Sequence, residues 1–293
     1  MNKFMGNRTA IALFVLPAML LYSVVVFWPV LQTFYRSLFD WDGLNAAKFI
    51  GLDNYKELWE DDLFWTSLKN GAIFAVIIAV FQIGIGTVLA FGVAESYVKG
   101  RKWLRIGFFI PVVLSVTVVC QLWMAMYNGE TGLLNTLFRT LGFSYQQDWL
   151  SDPKKAIFAI AAVNAWQFMG YHFALLFAAV KSIPSPLLEA AKIDGAGKWK
   201  TNILITIPLM RETYRFCLIF AVTGGLNAFA QMMIMNNGGP GTSSYTLTYM
   251  MYRSAFRLNE FGYGSASAAV LVVECLLVTL VINRLVARER IIY

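Results

Sequence analysis

Six stretches of the chain are apolar for long enough to cross a lipid bilayer: residues 10–35, 70–94, 106–127, 156–180, 216–235 and 264–282. A helix needs about 20 apolar residues to traverse the hydrocarbon. No water is present there to satisfy a backbone amide, so each stretch must close its hydrogen bonds within itself, as a helix does. Of the 293 residues, 58% are hydrophobic and only 14% charged, against about 25% charged in a soluble domain. The first stretch is too long for the core of a signal peptide and has no clear small-residue cleavage site, so it is read as retained. The chain is expected to be all-α: a polytopic membrane protein with six transmembrane helices.

The net charge of +7 is distributed unevenly. With the N-terminus placed in the cytoplasm, the inside segments hold 15 basic and 5 acidic residues, a net of +10. The outside segments hold 9 basic and 11 acidic residues, a net of −2, and Glu274 lies within a span. That is the positive-inside signal of membrane topology, so no nucleic-acid partner is expected. Both termini are expected on the cytoplasmic side. Cys120, Cys217 and Cys275 all sit in apolar runs, which argues against a disulfide framework or a paired-cysteine metal site. His172 is the single histidine, so a multi-histidine site cannot be built from this chain. No nucleophile–base pair is apparent either, so no catalytic residue is assigned.

The outside loops span 36–69, 128–155 and 236–263. Trp41, Trp59 and Trp65 in the first read as an interfacial belt, and the glycines and Pro240 of NNGGPGTSS (236–244) mark a turn. Gly86, Ala90 and Ala94, and Gly264 with Ala268, have the spacing at which membrane helices approach closely.

One segment breaks the apolar pattern. Residues 181–208, KSIPSPLLEAAKIDGAGKWKTNILITIP, are polar and lie between two spans. Ser185 is expected to cap a short helix beginning at Pro186, with Glu189 in its first turn near the positive end of the dipole. Asp194-Gly195 is a stop signal. A helix of about two turns follows, with alanines that would fit a groove on another protein. A helix lying on the lipid headgroups is an equal reading of these residues.

Polar groups inside spans tend to face a cavity or another helix. Gln82, Gln121, Asn164, Gln167, His172, Asn227, Gln231 and Glu274 are of this kind. Amides orient a polar solute by hydrogen bonds while aromatic faces supply contact area. Asn164, Phe168 and Tyr171 fall on one helical stripe, and Asn227 and Gln231 are one turn apart. These five are the candidates for a substrate pathway; the other reading of each is interhelical hydrogen bonding. An ion-coupled secondary transporter of a small polar solute stays open as a second function. Such folds often show two related halves, and no convincing repeat is present here.

The sequence Glu189-Ala190-Ala191, three further residues, Gly195, and then Ile207-Pro208 resembles the EAA loop of ABC-transporter permeases of binding-protein-dependent importers. GGP at 238–240, Thr246, Tyr249, Tyr252, Ala255-Phe256, Gly262-Tyr263 and Ser265-Ala266 are similar to carbohydrate-uptake permeases. Within these they resemble the larger-partner type of the maltose and glycerol-phosphate importers. VNAW at 163–166 and WLSDP at 149–153 fit too, and the likeness covers most of residues 65–290.

The resemblance implies the type I ABC importer permease fold. An N-terminal helix and extracytoplasmic loop would occupy 1–66, the transmembrane domain 67–286 with a cytoplasmic coupling helix near 184–200, and a cytoplasmic tail 287–293. It implies that Glu189, Ala190, Ala191, Asp194 and Gly195 couple to an ATPase. It implies a bacterial inner-membrane location and a chain that passes a sugar or oligosaccharide without itself being an enzyme. The implied partners are a second permease in a heterodimer, two ATP-binding subunits, an extracytoplasmic solute-binding protein and membrane lipid. Gly197-Lys198 is followed by Trp199, not Ser or Thr, so there is no phosphate-binding loop here. ATP and Mg would be bound by the partner ATPase, with no cofactor in this chain.

Overall fold

A computed structural model describes residues 8–95 and 97–286, without side-chain detail for 8–10. The basic residues Lys3, Arg288 and Arg290, Glu289 and the expected tail 287–293 lie outside the described residues. Among the described residues the secondary structure is helical apart from one hairpin of two-residue strands. The helices are α1 (Arg8–Tyr22), which continues through a π-turn (Ser23–Phe27) into α2 (Trp28–Arg36), then α3 (Asp53–Glu60) and α4 (Asp62–Ala94). Next come α5 (Arg101–Val113), α6 (Val116–Tyr127), α7 (Leu133–Thr140), α8 (Ala156–Ser182) and α9 (Ser185–Ile193). The chain ends with α10 (Lys198–Thr201), α11 (Ile207–Leu209), α12 (Arg211–Leu226), α13 (Ala230–Met235), α14 (Leu247–Arg257) and α15 (Phe261–Val286). Strands β1 (Phe39–Asp40) and β2 (Lys48–Phe49) pair antiparallel, Phe39 opposite Phe49.

The chain forms two units. One comprises Met1–Asp61 and Met250–Val270. Its polar joint is Asn54, buried, whose Nδ2 donates to Ser37 O (2.8 Å) and Phe39 O (2.9 Å). These carbonyls leave a helix end and a hairpin, so the amide satisfies groups that water no longer reaches. Gly262 is small because a side chain there would overlap Phe39 O. Tyr263 Oη donates to Asp61 at 2.6 Å. Trp41 packs against Phe261 (5.5 Å), with the Arg36 guanidinium 4.4 Å from its ring. None of the apolar window of helix Ile11–Arg36 is buried, as lipid-facing side chains require.

The other unit comprises Asp62–Tyr249 and Leu271–Tyr293. Helices α4 and α8 form its spine. A Cβ on Gly86 would stand 3.0 Å from Phe173 N, so the bare glycine sets how closely α4 and α8 approach. Gly225 lies the same way against Ala75 of α4, where a Cβ would meet Ala75 Cα at 2.7 Å. At Gly170 a Cβ would overlap Phe108 O, which fixes α5 on α8. Phe74, Ile78, Val119, Ile160, Val163 and Met232 fill the interior between these contacts.

The expected spans need correction. Three described helices, Ile11–Arg36, Asp62–Ala94 and Phe261–Val286, are each long and apolar enough to cross a membrane. The number rises to five if each bent pair is taken as one span. Residues 106–127 are not one straight helix: α5 and α6 meet at 99°. The helix stops where Leu114 and Ser115 turn to extended ψ values of 143° and 137°. Gln167 Nε2 donates to the freed Leu114 O at 3.1 Å. Residues 216–235 are broken as well, at Asn227–Phe229 between α12 and α13. There Ala228 O accepts from Thr246 Oγ1 (3.1 Å) and Thr248 Oγ1 (2.7 Å). Irregular backbone at such depth is tolerated where protein groups replace the lost helical bonds. The loops expected at 36–69 and 236–263 contain α3 and α14.

Candidate functional site

The two helix breaks border one cavity of about 460 Å³. Asn164, Phe168 and Tyr171 reach it from α8, Asn227 from the end of α12 and Gln231 from α13. Thus all five residues singled out for a pathway are brought together. Gln82 of α4 and Phe220 of α12 join them. Gln82 Nε2 donates to Asn164 Oδ1 at 3.0 Å, which orients both amides and leaves Asn164 Nδ2 and Gln82 Oε1 for a ligand. Asn227 Nδ2 donates to Thr223 O (2.8 Å) and lies 3.4 Å from Cys275 Sγ, leaving its carbonyl oxygen. Gln231 is buried. Tyr171 and Phe220 stack at 4.9 Å with planes 25° apart, a double aromatic wall.

Sequence reasoning missed two contributors. Phe220 was one apolar residue among many in its span. Gln82 was noted only as a polar residue in a span. His172 and Gln167, which share the α8 span, do not line the cavity: His172 is buried with its ring nitrogens 3.3 Å from Phe168 O and Cys217 O, and Gln167 braces Leu114. Gln121 and Glu274 do not line it either.

The polar insertion forms α9, and three details differ from expectation. The position before the helix is Pro184, and no side chain caps it; Ser185 is already inside the first turn. Pro184 itself supplies the bend of 69° from α8, since it cannot continue a helix. Glu189 consequently falls in the second turn, not the first. Ala191 is 5% exposed and turns inward, so it seats α9 on its own chain, while Glu189, Ala190, Asp194 and Gly195 are exposed. Ile193 (86% exposed) and Trp199 (82%) add large apolar groups to the outer surface. The sequence could have flagged both as apolar residues in a polar segment.

The stop at Asp194-Gly195 has a definite geometry. Gly195 has φ +77°. Its N–H donates to Lys192 O (3.1 Å), and Ala196 N–H donates to Ala191 O (2.9 Å). These two bonds are the paired closure of a Schellman turn, which favours glycine at the left-handed position. The insertion is tied to the end of α4. Lys198 Nζ lies 2.8 Å from Glu95 Oε2, which holds the ammonium pKa above its usual value. Lys181 Nζ donates to Ala94 O at 2.7 Å, on the last turn of α4, where helix carbonyls lack partners. The residues that face the outside of α9 are thereby linked to the same helix that carries Gln82.

Residues 82–291 match the model of the family described as binding-protein-dependent transport system inner membrane component. The chain is 37% identical over 279 residues to the probable ABC transporter permease protein YurN of Bacillus subtilis, covering 94% of each. It is 31% identical to the diacetylchitobiose uptake system permease protein NgcF of Streptomyces coelicolor, over 94% of this chain and 80% of that one. Among solved structures it is similar in fold to a chain of a bacterial ABC transporter involved in import of the acidic polysaccharide alginate. The TM-score there is 0.82 at 21% identity, covering 94% of each chain.

Proposed function

The chain belongs to the binding-protein-dependent transport system inner membrane components, and on that premise we propose that it passes a sugar or oligosaccharide from an extracytoplasmic binding protein to the cytoplasm. It is a multi-pass transport subunit of an ABC importer, and ATP hydrolysis belongs to separate subunits. The carbohydrate cargo is supported by the relatives' names, diacetylchitobiose uptake among them. The observation that carries the reading is the cavity: amides from Gln82, Asn164, Asn227 and Gln231 with the Tyr171–Phe220 wall are the groups that hold a polyhydroxylated ring. The assembly we propose has a second permease, two ATPase subunits that bind ATP and Mg, and the solute-binding protein. Helix α9 docks on the ATPase through Glu189, Ala190 and Ile193, and the short α10 through Trp199.

Asn227→Ala removes one polar contact and Tyr171→Ala one ring of the aromatic wall; the lost hydrogen bond is worth about 0.5–1.5 kcal/mol. Uptake by the assembled transporter should fall about 2- to 10-fold in each, since 1.4 kcal/mol is a factor of ten, while the subunits still co-purify. Unchanged uptake kinetics in both variants would return these residues to helix packing.

The proposed orientation has both termini in the cytoplasm, from the +10 against −2 charge split. Thr242 and Lys200 are both exposed. A cysteine at Thr242 should react with a membrane-impermeant maleimide in intact cells, and one at Lys200 only after permeabilisation. The reverse pattern would contradict the orientation.

A further inference from the structure

Among the described residues, the walls of the cavity that gathers the pathway residues contain no charge. Its 14 lining residues are aliphatic, aromatic, amide or glycine, and none is Lys, Arg, Asp, Glu or His. His172 is buried and is not among the lining residues; its ring nitrogens are held 3.3 Å from Phe168 O and Cys217 O. Glu274, on the helix that reaches Asn227 through Cys275, is an acid and offers no cation.

A carboxylate or phosphate moved from water into such a site loses its hydration and gains no countercharge, which costs far more than the loss of a neutral hydroxyl's hydration. Amides satisfy hydroxyl groups as well as water does. Sites built for carboxylate or phosphate carry arginine or lysine instead. Resting on the reading of this cavity as a sugar pathway, we propose that it selects uncharged sugars and excludes sugar phosphates and uronates. The selection is made in the membrane, independently of the solute-binding protein.

The test is direct binding to the assembled permease–ATPase complex in lipid nanodiscs, with the binding protein omitted so that its own selectivity does not enter. Two radiolabelled pools are compared by equilibrium dialysis: neutral disaccharides, and the same disaccharides with one hydroxymethyl group replaced by a carboxylate. The neutral pool should bind about 100-fold more tightly or better, the margin that an unpaired buried charge implies. Gly224 lines the cavity, and a Cβ added there meets nothing within 4 Å. Gly224→Arg should therefore narrow the ratio by about ten-fold or more, while Gly224→Ala leaves it unchanged. Equal binding of the two pools by the unaltered complex would overturn charge selection yet leave sugar import standing. Binding of neither pool by a complex that still hydrolyses ATP would overturn the placing of the sugar in this cavity. Uronate binding that Gly224→Arg does not improve would show that selection is made elsewhere.

Discussion

Gly195→Pro should abolish sugar-stimulated ATP hydrolysis and reduce uptake to background, with insertion into the membrane unchanged. Gly195 sits at φ +77° and donates its N–H to Lys192 O. Proline locks φ near −65° and has no N–H, so both elements of the turn that ends α9 are lost together. The cost is about 3 kcal/mol or more for the local geometry. Because α9 is a nine-residue helix with one well-buried residue, Ala191, its direction relies on this turn together with the Lys181 and Lys198 ties to the end of α4. Glu189, Ala190 and Ile193 would then point away from a docked ATPase. Gly195→Ala keeps the N–H and meets nothing within 4 Å. It should cost only about 1 kcal/mol through the left-handed backbone and retain part of the activity. Stimulated ATPase activity is measured on the assembled complex. Normal stimulation in a Glu189→Lys, Gly195→Pro double variant would mean that α9 lies on lipid and docks nothing.

Gly170→Ala should destabilise the transmembrane part with a single methyl. The added carbon would overlap Phe108 O, a backbone atom that cannot rotate away. Helix α5 must move off α8, prising apart the ring contact of Phe108 with Phe173 (5.9 Å) and displacing Val112 from the cavity wall. Overpacking of this kind costs about 1–3 kcal/mol. Gly92→Ala on α4 is the control, because its methyl meets nothing within 4 Å. In a helix interior it should be neutral or stabilise by about 0.5–1 kcal/mol. The midpoint of thermal aggregation of the detergent-solubilised protein should fall for Gly170→Ala and hold or rise for Gly92→Ala. Equal midpoints would contradict the close crossing of α5 and α8.

The amino-acid pattern made some of this legible and hid the rest for identifiable reasons. Residues Asn164, Phe168 and Tyr171 could be grouped because helical spacing alone places them on one stripe, and α8 is unbroken there. Asn227 and Gln231 were also paired by spacing, but for an incorrect reason: the helix they were assigned to is interrupted between them. They share the cavity because the break turns both toward it. That interruption depends on Thr246 and Thr248, some 20 residues downstream, which accept the task of bonding Ala228 O. Apolar periodicity carries no information about a donor that distant in sequence. The bend at Leu114 is similar, since its freed carbonyl is met by Gln167 from another helix. At α9 the composition located the helix and its glycine stop, but it could not tell that Ala191 faces inward while Ala190 faces out. Adjacent alanines are identical as letters, and only the packing of the whole insertion separates them.

Transport through this chain is driven by ATP hydrolysed in separate subunits and not by an ion gradient. Proteoliposomes containing the chain with its second permease and ATPase, and supplied with the binding protein, provide the direct measurement. The expected result is sugar uptake that requires ATP on the ATPase side and the binding protein on the other, and that is unaffected by ionophores. Uptake by the chain alone, driven by a proton or sodium gradient and indifferent to ATP, would contradict it.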